Sequence, residues 1–115
     1  MPFSEFESAL IEVKLQEYID SRRPPEHLRD KVDLAFRLTG ESVLIFTIRP
    51  LYSDPSVLLE NAIAKADYVK VEDKWHVFWM PSDMTWHRYK LVPDVGSIEE
   101  FIEVVESDDH ACFWG

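Results

Sequence analysis

Residues 75–89 read Trp75-His76-Val77-Phe78-Trp79-Met80-Pro81-Ser82-Asp83-Met84-Thr85-Trp86-His87-Arg88-Tyr89. Three of the chain's four tryptophans and two of its four histidines fall inside this stretch. Aromatic and β-branched residues favour a pleated backbone, and Pro81-Ser82-Asp83-Met84 is a turn signal, so the spacing predicts a β-hairpin. With those four residues as the loop, Trp79 faces Trp86, Phe78 faces His87 and His76 faces Tyr89. Trp75, Val77, Trp79, Trp86 and Arg88 then share one side of the hairpin. His76, Phe78, Met80, His87 and Tyr89 share the other. A hairpin this rich in rings is either the heart of a core or a contact surface. It is not a catalytic signature.

Upstream of it, Ser4-Glu5-Phe6-Glu7 is a capping box, and a helix is predicted from there to about Arg22, where Pro24-Pro25 stop it. Its apolar residues form two stripes. Phe6, Ala9, Leu10 and Val13 share one face; Ile11, Leu15, Tyr18 and Ile19 share another. A surface helix needs only one stripe, so the second is expected to be covered by other parts of the chain or by a second subunit. Residues 32–38 alternate with period two, apolar at even positions, as a half-buried strand does. Gly40-Glu41 suits a type II′ turn, and 43–48 return as an apolar run predicted to lie mid-sheet, with Pro50 ending it. Residues 54–60 read as a helical turn or an irregular connection. Further strands are predicted at 63–71, 75–80 and 86–91. Ser97 and Glu100 form a second capping box, opening a helix of about ten residues with Ile98, Phe101, Ile102, Val104 and Val105 inward.

This order predicts an α+β fold: a single antiparallel sheet of about five strands, a hairpin followed by a three-strand meander. An N-terminal and a C-terminal helix pack on it. At 115 residues, residues 1–115 read as one α+β domain.

The formal charge of −10 works against general nucleic-acid binding, because affinity for phosphate backbones comes mostly from Lys and Arg. From Leu91 onward there is no Lys or Arg, against Asp94, Glu99, Glu100, Glu103, Glu106, Asp108 and Asp109. That acidic surface keeps a small protein soluble, or docks a basic partner. A single cysteine, Cys112, excludes an intramolecular disulfide and fits a reducing compartment. The first residues lack a basic n-region, and no apolar run approaches a membrane span. A cytoplasmic location without a membrane partner is therefore expected.

Arg22-Arg23-Pro24-Pro25, Ile48-Arg49-Pro50, Trp75-His76-Val77-Phe78-Trp79-Met80, Trp86-His87-Arg88-Tyr89 and Cys112-Phe113-Trp114-Gly115 follow one another in a characteristic order and spacing. In this the chain resembles a family of small bacterial proteins known as domain of unknown function 3024. The resemblance spans nearly the whole chain and implies a bacterial, intracellular, stand-alone domain. It brings no activity, cofactor or catalytic residue.

The residues themselves offer two candidate surfaces. Trp75, His76, Phe78, Trp79, Trp86, His87 and Tyr89 form an aromatic and imidazole surface for a ligand or partner; the plainer reading makes one of its sides core. Arg22, Arg23, Arg29 and Lys31 form the one local basic cluster, suited to an anion or a partner, the plainer reading being a helix C-terminus complementing its macrodipole. His76, His87, His110 and Cys112 are metal-ligating types, but no pair has the tight spacing of a zinc site, so no metal is expected. Cys112 sits among Ala111, Phe113 and Trp114, where burial makes a thiol inert. No nucleophile elbow, phosphate loop or dinucleotide fingerprint is present, so no catalytic residue or cofactor is expected. The leading expectation is a non-enzymatic interaction module whose partner is a protein or a second copy of itself. A single-stranded nucleic-acid-associated domain using an aromatic sheet is the alternative, disfavoured by the charge. A small-molecule binder or enzyme around the His-rich hairpin is the third. The apolar tail is expected to dock Phe113 and Trp114 rather than leave them in water.

Overall fold

The computed structural model describes residues 3–108 and 112–114. Helix α1 (Glu5–Arg22) opens on Ser4, whose hydroxyl accepts the Glu7 amide at 3.1 Å while the Glu7 carboxylate accepts the Ser4 amide at 3.1 Å. The pair satisfies donors that the first helical turn leaves without partners. At the far end Arg23 turns to ψ 143°, because the proline ring that follows disfavours helical backbone before it.

A one-turn 3-10 helix (Glu26–Leu28) leads into the sheet, which comprises β1 (Asp33–Thr39), β2 (Ser42–Leu51), β3 (Asp54–Val69), β4 (Lys74–Trp79), β5 (His87–Arg88) and β6 (Asp94–Val95); α2 (Ile98–Ser107) follows. All pairings are antiparallel in the order β1-β2-β3-β4, and β5 and β6 share the outer edge of β4. The fold is the α+β arrangement expected. In the β1–β2 hairpin Thr39 pairs with Ser42, so Gly40-Glu41 form the loop, and Gly40 adopts φ 60° where a side chain would be strained.

Both helices lie on one face of the sheet. Leu15, Tyr18 and Ile19 of α1 and Ile98, Phe101 and Val105 of α2 enclose Leu34, Val43, Ile45, Ala64, Ala66, Trp75 and Val77, all of them buried. Each large side chain removed from water here contributes roughly 1.5–3 kcal/mol. The small Ala64 and Ala66 sit at the centre of the sheet, facing Ile45 and Val43 on one side and Trp79 and Val77 on the other. The tail docks as expected. Phe113 is buried, 4.8 Å from the Tyr89 ring, and the Trp114 indole donates to the Val105 carbonyl at 3.0 Å.

Several expectations need correction. Pro50 does not end β2; it lies within the strand, opposite Leu58. Because β1 reaches no further than Ile48, that part of β2 is an edge, where a residue without an amide proton is tolerated. Residues 54–60 are neither helical nor irregular: β3 starts at Asp54 and ends at Val69, short of the predicted 71. The strand expected at 86–91 shrinks to His87–Arg88, and pairing resumes at Asp94–Val95. Between them the chain loops out, and Arg88 stitches the loop by donating Nε and a terminal nitrogen to the Pro93 carbonyl at 3.1 and 2.8 Å.

The register of the aromatic hairpin is also shifted by one. Trp79 faces His87 and Phe78 faces Arg88. Met84 takes φ 62°, its amide donating to the Pro81 carbonyl at 3.0 Å, and the Asp83 carboxylate accepts the Thr85 amide at 3.0 Å. These local bonds lengthen the loop and hold Thr85 and Trp86 out of the ladder. A one-residue slip exchanges the two faces for the returning strand. Finally, Glu100 completes only half of the second capping box: its amide reaches the Ser97 hydroxyl at 3.2 Å, but its carboxylate accepts the Gly96 amide at 3.3 Å.

Candidate functional site

The aromatic and imidazole candidates do not form one surface. Trp75 and Tyr89 are core: Trp75 stacks on Phe3 at 5.4 Å and touches Tyr68 at 5.3 Å. Trp79 is half-buried at the margin of that same side, beside the exposed His87 ring at 6.3 Å. His76, Phe78 and Trp86 belong to the opposite, helix-free face.

That open face has a chemical order the hairpin alone could not reveal. The cross-strand row Arg37, Leu44, Lys65, Phe78, Arg88 runs from β1 to β5, with each residue directly opposite the next. Cations therefore alternate with apolar side chains, about 10 Å apart at two strand spacings. Lys65 lies over the rings of Phe78 and Trp86, at 4.6 and 5.2 Å, and Arg37 lies over Phe46 at 4.8 Å. Acids balance the row: Glu60 pairs with Arg37 at 2.9 Å and Asp67 with Lys65 at 3.5 Å.

The two hairpin histidines are separated, each held by a carboxylate. His76 Nε2 lies 3.1 Å from Glu72, and His87 Nε2 lies 2.8 Å from Asp83. A cleft of about 280 Å³ beside His87 is lined by Trp79, Tyr89, Lys90 and Cys112, without His76. Burial, and then the Asp108 carboxylate, push the Cys112 thiol upward, as for an inert cysteine. No group of three metal-ligating side chains occurs among the described residues; His110 lies outside them.

The basic cluster is largely committed within the molecule. One terminal nitrogen of Arg22 bonds both oxygens of Glu106, at 2.9 and 2.8 Å, and its guanidinium lies 4.0 Å from the Trp114 ring centroid. The Tyr18 hydroxyl donates to the same Glu106 at 2.7 Å. Burial first, and this bond second, raise the Tyr18 hydroxyl well above its ordinary range. Arg23 makes a bidentate pair with Asp33 at 2.9 and 2.7 Å, and Arg29 donates to the Pro24 carbonyl at 3.0 Å. Lys31 is exposed.

The Arg23 bond holds the Asp33 carboxyl below its usual range. A depressed carboxyl stabilises the fold above its unfolded value, about pH 3.9, and the gain disappears as pH falls through the folded one. Arg23→Ala is therefore expected to melt below the parent at pH 7, with the gap closing as pH falls below about 4. Thermal melts at pH 7 and pH 3 check this; an equal gap at both would refute it.

Two surfaces outside these clusters stand out. On α1 the outward stripe stays in water: Phe6 is 73% exposed, Leu10 45% and Val13 54%. The described chain does not cover it, and exposed Glu5, Glu7, Glu12 and Glu17 flank it. Between α1 and the β4 end of the sheet runs a cleft of about 320 Å³, lined by Phe3, Glu7, Leu10, Tyr68, Asp73 and Glu99 among others. The second surface is the β2–β3 ribbon, where Tyr52, Val57, Leu58 and Leu59 are exposed. The run Val57-Leu58-Leu59 was its signal in the sequence, masked by the reading of residues 54–60 as a helical turn or an irregular connection.

The family described as Domain of unknown function (DUF3024) matches residues 3–115. The chain belongs to this family. No curated protein and no solved structure matches it. No helix among the described residues is long and apolar enough to cross a membrane.

Proposed function

We propose that this member of the DUF3024 family is a non-enzymatic protein-interaction module of the bacterial cytoplasm, whose outward α1 face takes a protein partner that is apolar at its centre and basic at its edge. The exposed row Phe6, Leu10, Val13 carries the reading. Side chains of this size spaced along one helix face are anchors when covered and a liability when not. The flanking carboxylates Glu5, Glu7, Glu12 and Glu17 favour a cationic rim on the partner. Lys14, the one cation along this part of the helix, is already bound to Glu99 at 2.7 Å.

A second reading, single-stranded nucleic acid on the open sheet face, has one observation in its favour: the row Arg37, Lys65, Arg88 interleaved with Leu44 and Phe78. The acids paired with that row and the net charge of −10 oppose it.

One titration experiment tests both. Amide shifts are followed by NMR with three probes: an amphipathic Leu/Lys helical peptide, its Leu/Glu counterpart, and a single-stranded oligonucleotide at low salt. The expected result is shifts along α1 with the Leu/Lys peptide alone. They should be lost in Phe6→Ser/Val13→Ser, which is expected to melt like the parent because both positions are exposed. Equal response to both peptides, or none, defeats the proposal; shifts on the open face with the oligonucleotide favour the second reading.

A further inference from the structure

Strand β3 is 16 residues long, and its two edges are used unequally. Along one edge it pairs with β2 at Asp54 and from Leu58 to Asp67, skipping Ile63, but along the other β4 covers only Ala64 to Val69. Among the described residues, no strand pairs with that edge over residues 54–63. A strand edge of this length presents a row of backbone donors and acceptors ready to template another strand. Natural edges are commonly blunted by lysines, prolines or inward charges; residues 54–63 hold one such device, Pro55 near the tip, but no Lys or Arg and only two acids, Asp54 and Glu60. Instead Val57, Leu58 and Leu59 stand 42%, 62% and 43% exposed.

We infer that this edge is the self-association site: two copies pair β3 against β3 antiparallel, joining their sheets across a two-fold axis. Such an axis stands perpendicular to the sheet, so one residue must lie opposite its own counterpart. Centring on Leu58 brings Val57 opposite the second copy's Leu59, Glu60 opposite Ser56 and Asp54 opposite Ala62. The exposed apolar side chains meet one another, and no carboxylate faces a carboxylate. Charge selects this surface over α1 for a second copy. The α1 stripe is rimmed by Glu5, Glu7, Glu12 and Glu17, so two copies meeting there would oppose acid to acid. On the ribbon Glu60 is already neutralised by Arg37 at 2.9 Å, and Asp54 accepts from the amide and hydroxyl of Ser56 at 3.2 and 2.7 Å. The surface is distinct from the one proposed for the protein partner, and either can fail alone.

The test is sedimentation of the full chain, with Leu58→Lys as the disrupting variant. The parent is expected to sediment as two chains at micromolar concentration and Leu58→Lys as one, with unchanged circular dichroism because the position is exposed, and with a melting temperature that no longer rises with protein concentration. A second measurement reads the register directly. Leu58→Cys, in a chain carrying Cys112→Ser, places two thiols across the axis on Cα atoms about 4.5–5.5 Å apart, within disulfide reach. Rapid intermolecular crosslinking is expected, while Leu10→Cys in the same background stays uncrosslinked. A monomeric parent at 100 μM, a dimer that survives Leu58→Lys, or crosslinking through position 10 instead of 58 overturns the inference. None of these outcomes alters the peptide titration that tests the α1 face.

Discussion

Deletion of residues 112–115 is expected to lower the melting temperature by roughly 12–20 °C. Removing a buried Phe costs about 3–5 kcal/mol, and at this chain length each kcal/mol corresponds to about 4 °C. Phe113 is such a residue, seated on Tyr89 within the core cluster. The tail is anchored by more than apolar contact. Asp108 ends α2 in the left-handed conformation, φ 41°, and its two carboxylate oxygens accept the amides of Phe113 and Trp114 at 3.0 and 2.9 Å. Arg22 then closes over the Trp114 ring. Asp108→Asn keeps a residue that tolerates the backbone conformation but weakens the charged acceptor. It should therefore fall between the parent and the truncation. Calorimetry of the three proteins decides the matter: a truncated chain melting within about 2 °C of the parent would mean that the tail adds nothing.

The second large effect is expected at Phe101, which has no exposed surface and sits midway along α2. Phe101→Ala should cost about 3–5 kcal/mol, because its neighbours belong to a helix and a sheet pinned by their own hydrogen bonds and cannot collapse into the space. Against a total stability of about 5–15 kcal/mol, this leaves a marginal fold. The half-buried Ile102, next along the same helix, provides the comparison: Ile102→Ala should cost less than half as much. Urea unfolding midpoints at equal slope measure both. A cost at Phe101 below about 1 kcal/mol would show the core to be far more adaptable than close packing allows.

Features governed by neighbouring residues were legible in the sequence. The Ser4–Glu7 box, the Pro24 stop, the Gly40 turn and the period-two pattern of β1 each depend on only a few positions, and each appears where expected. What failed depended on distant partners. Whether Pro50 ends a strand is decided by where β1 stops, so the proline alone does not settle it. The hairpin register turned on a left-handed Met84, a conformation no methionine advertises, and that slip reassigned Trp86, Arg88 and Tyr89 between the faces. The site residues fared similarly. Alternation along β4 parts Trp75 and Trp79 from His76 and Phe78 as expected, but the slipped register moves Trp86 to the open face and His87 and Tyr89 to the core side, so the seven candidate rings make no single surface. Of the basic cluster, Arg22 and Arg23 were claimed by Glu106 and Asp33, which lie 84 and 10 residues away. The exposed α1 stripe was visible as a second apolar row; that nothing in the described chain covers it was not.

The divided outer edge of β4 has a consequence for how the molecule opens. Two ladders of two residues each, β5 and β6, guard that edge with a loop between them. The Val77 amide donates to Pro93 and the Val77 carbonyl accepts from Tyr89, so one residue of β4 anchors both sides of the loop. Pieces this short contribute few cooperative contacts, and stability within a protein is distributed in units that open separately. Residues 87–95 are expected to open as such a unit, at a cost set by withdrawing Tyr89 and Val95 from the core, baring the β4 backbone while β1 to β3 hold. The solvent-labile part of this fold would then be the seam that closes its sheet, beside a slow-exchanging centre.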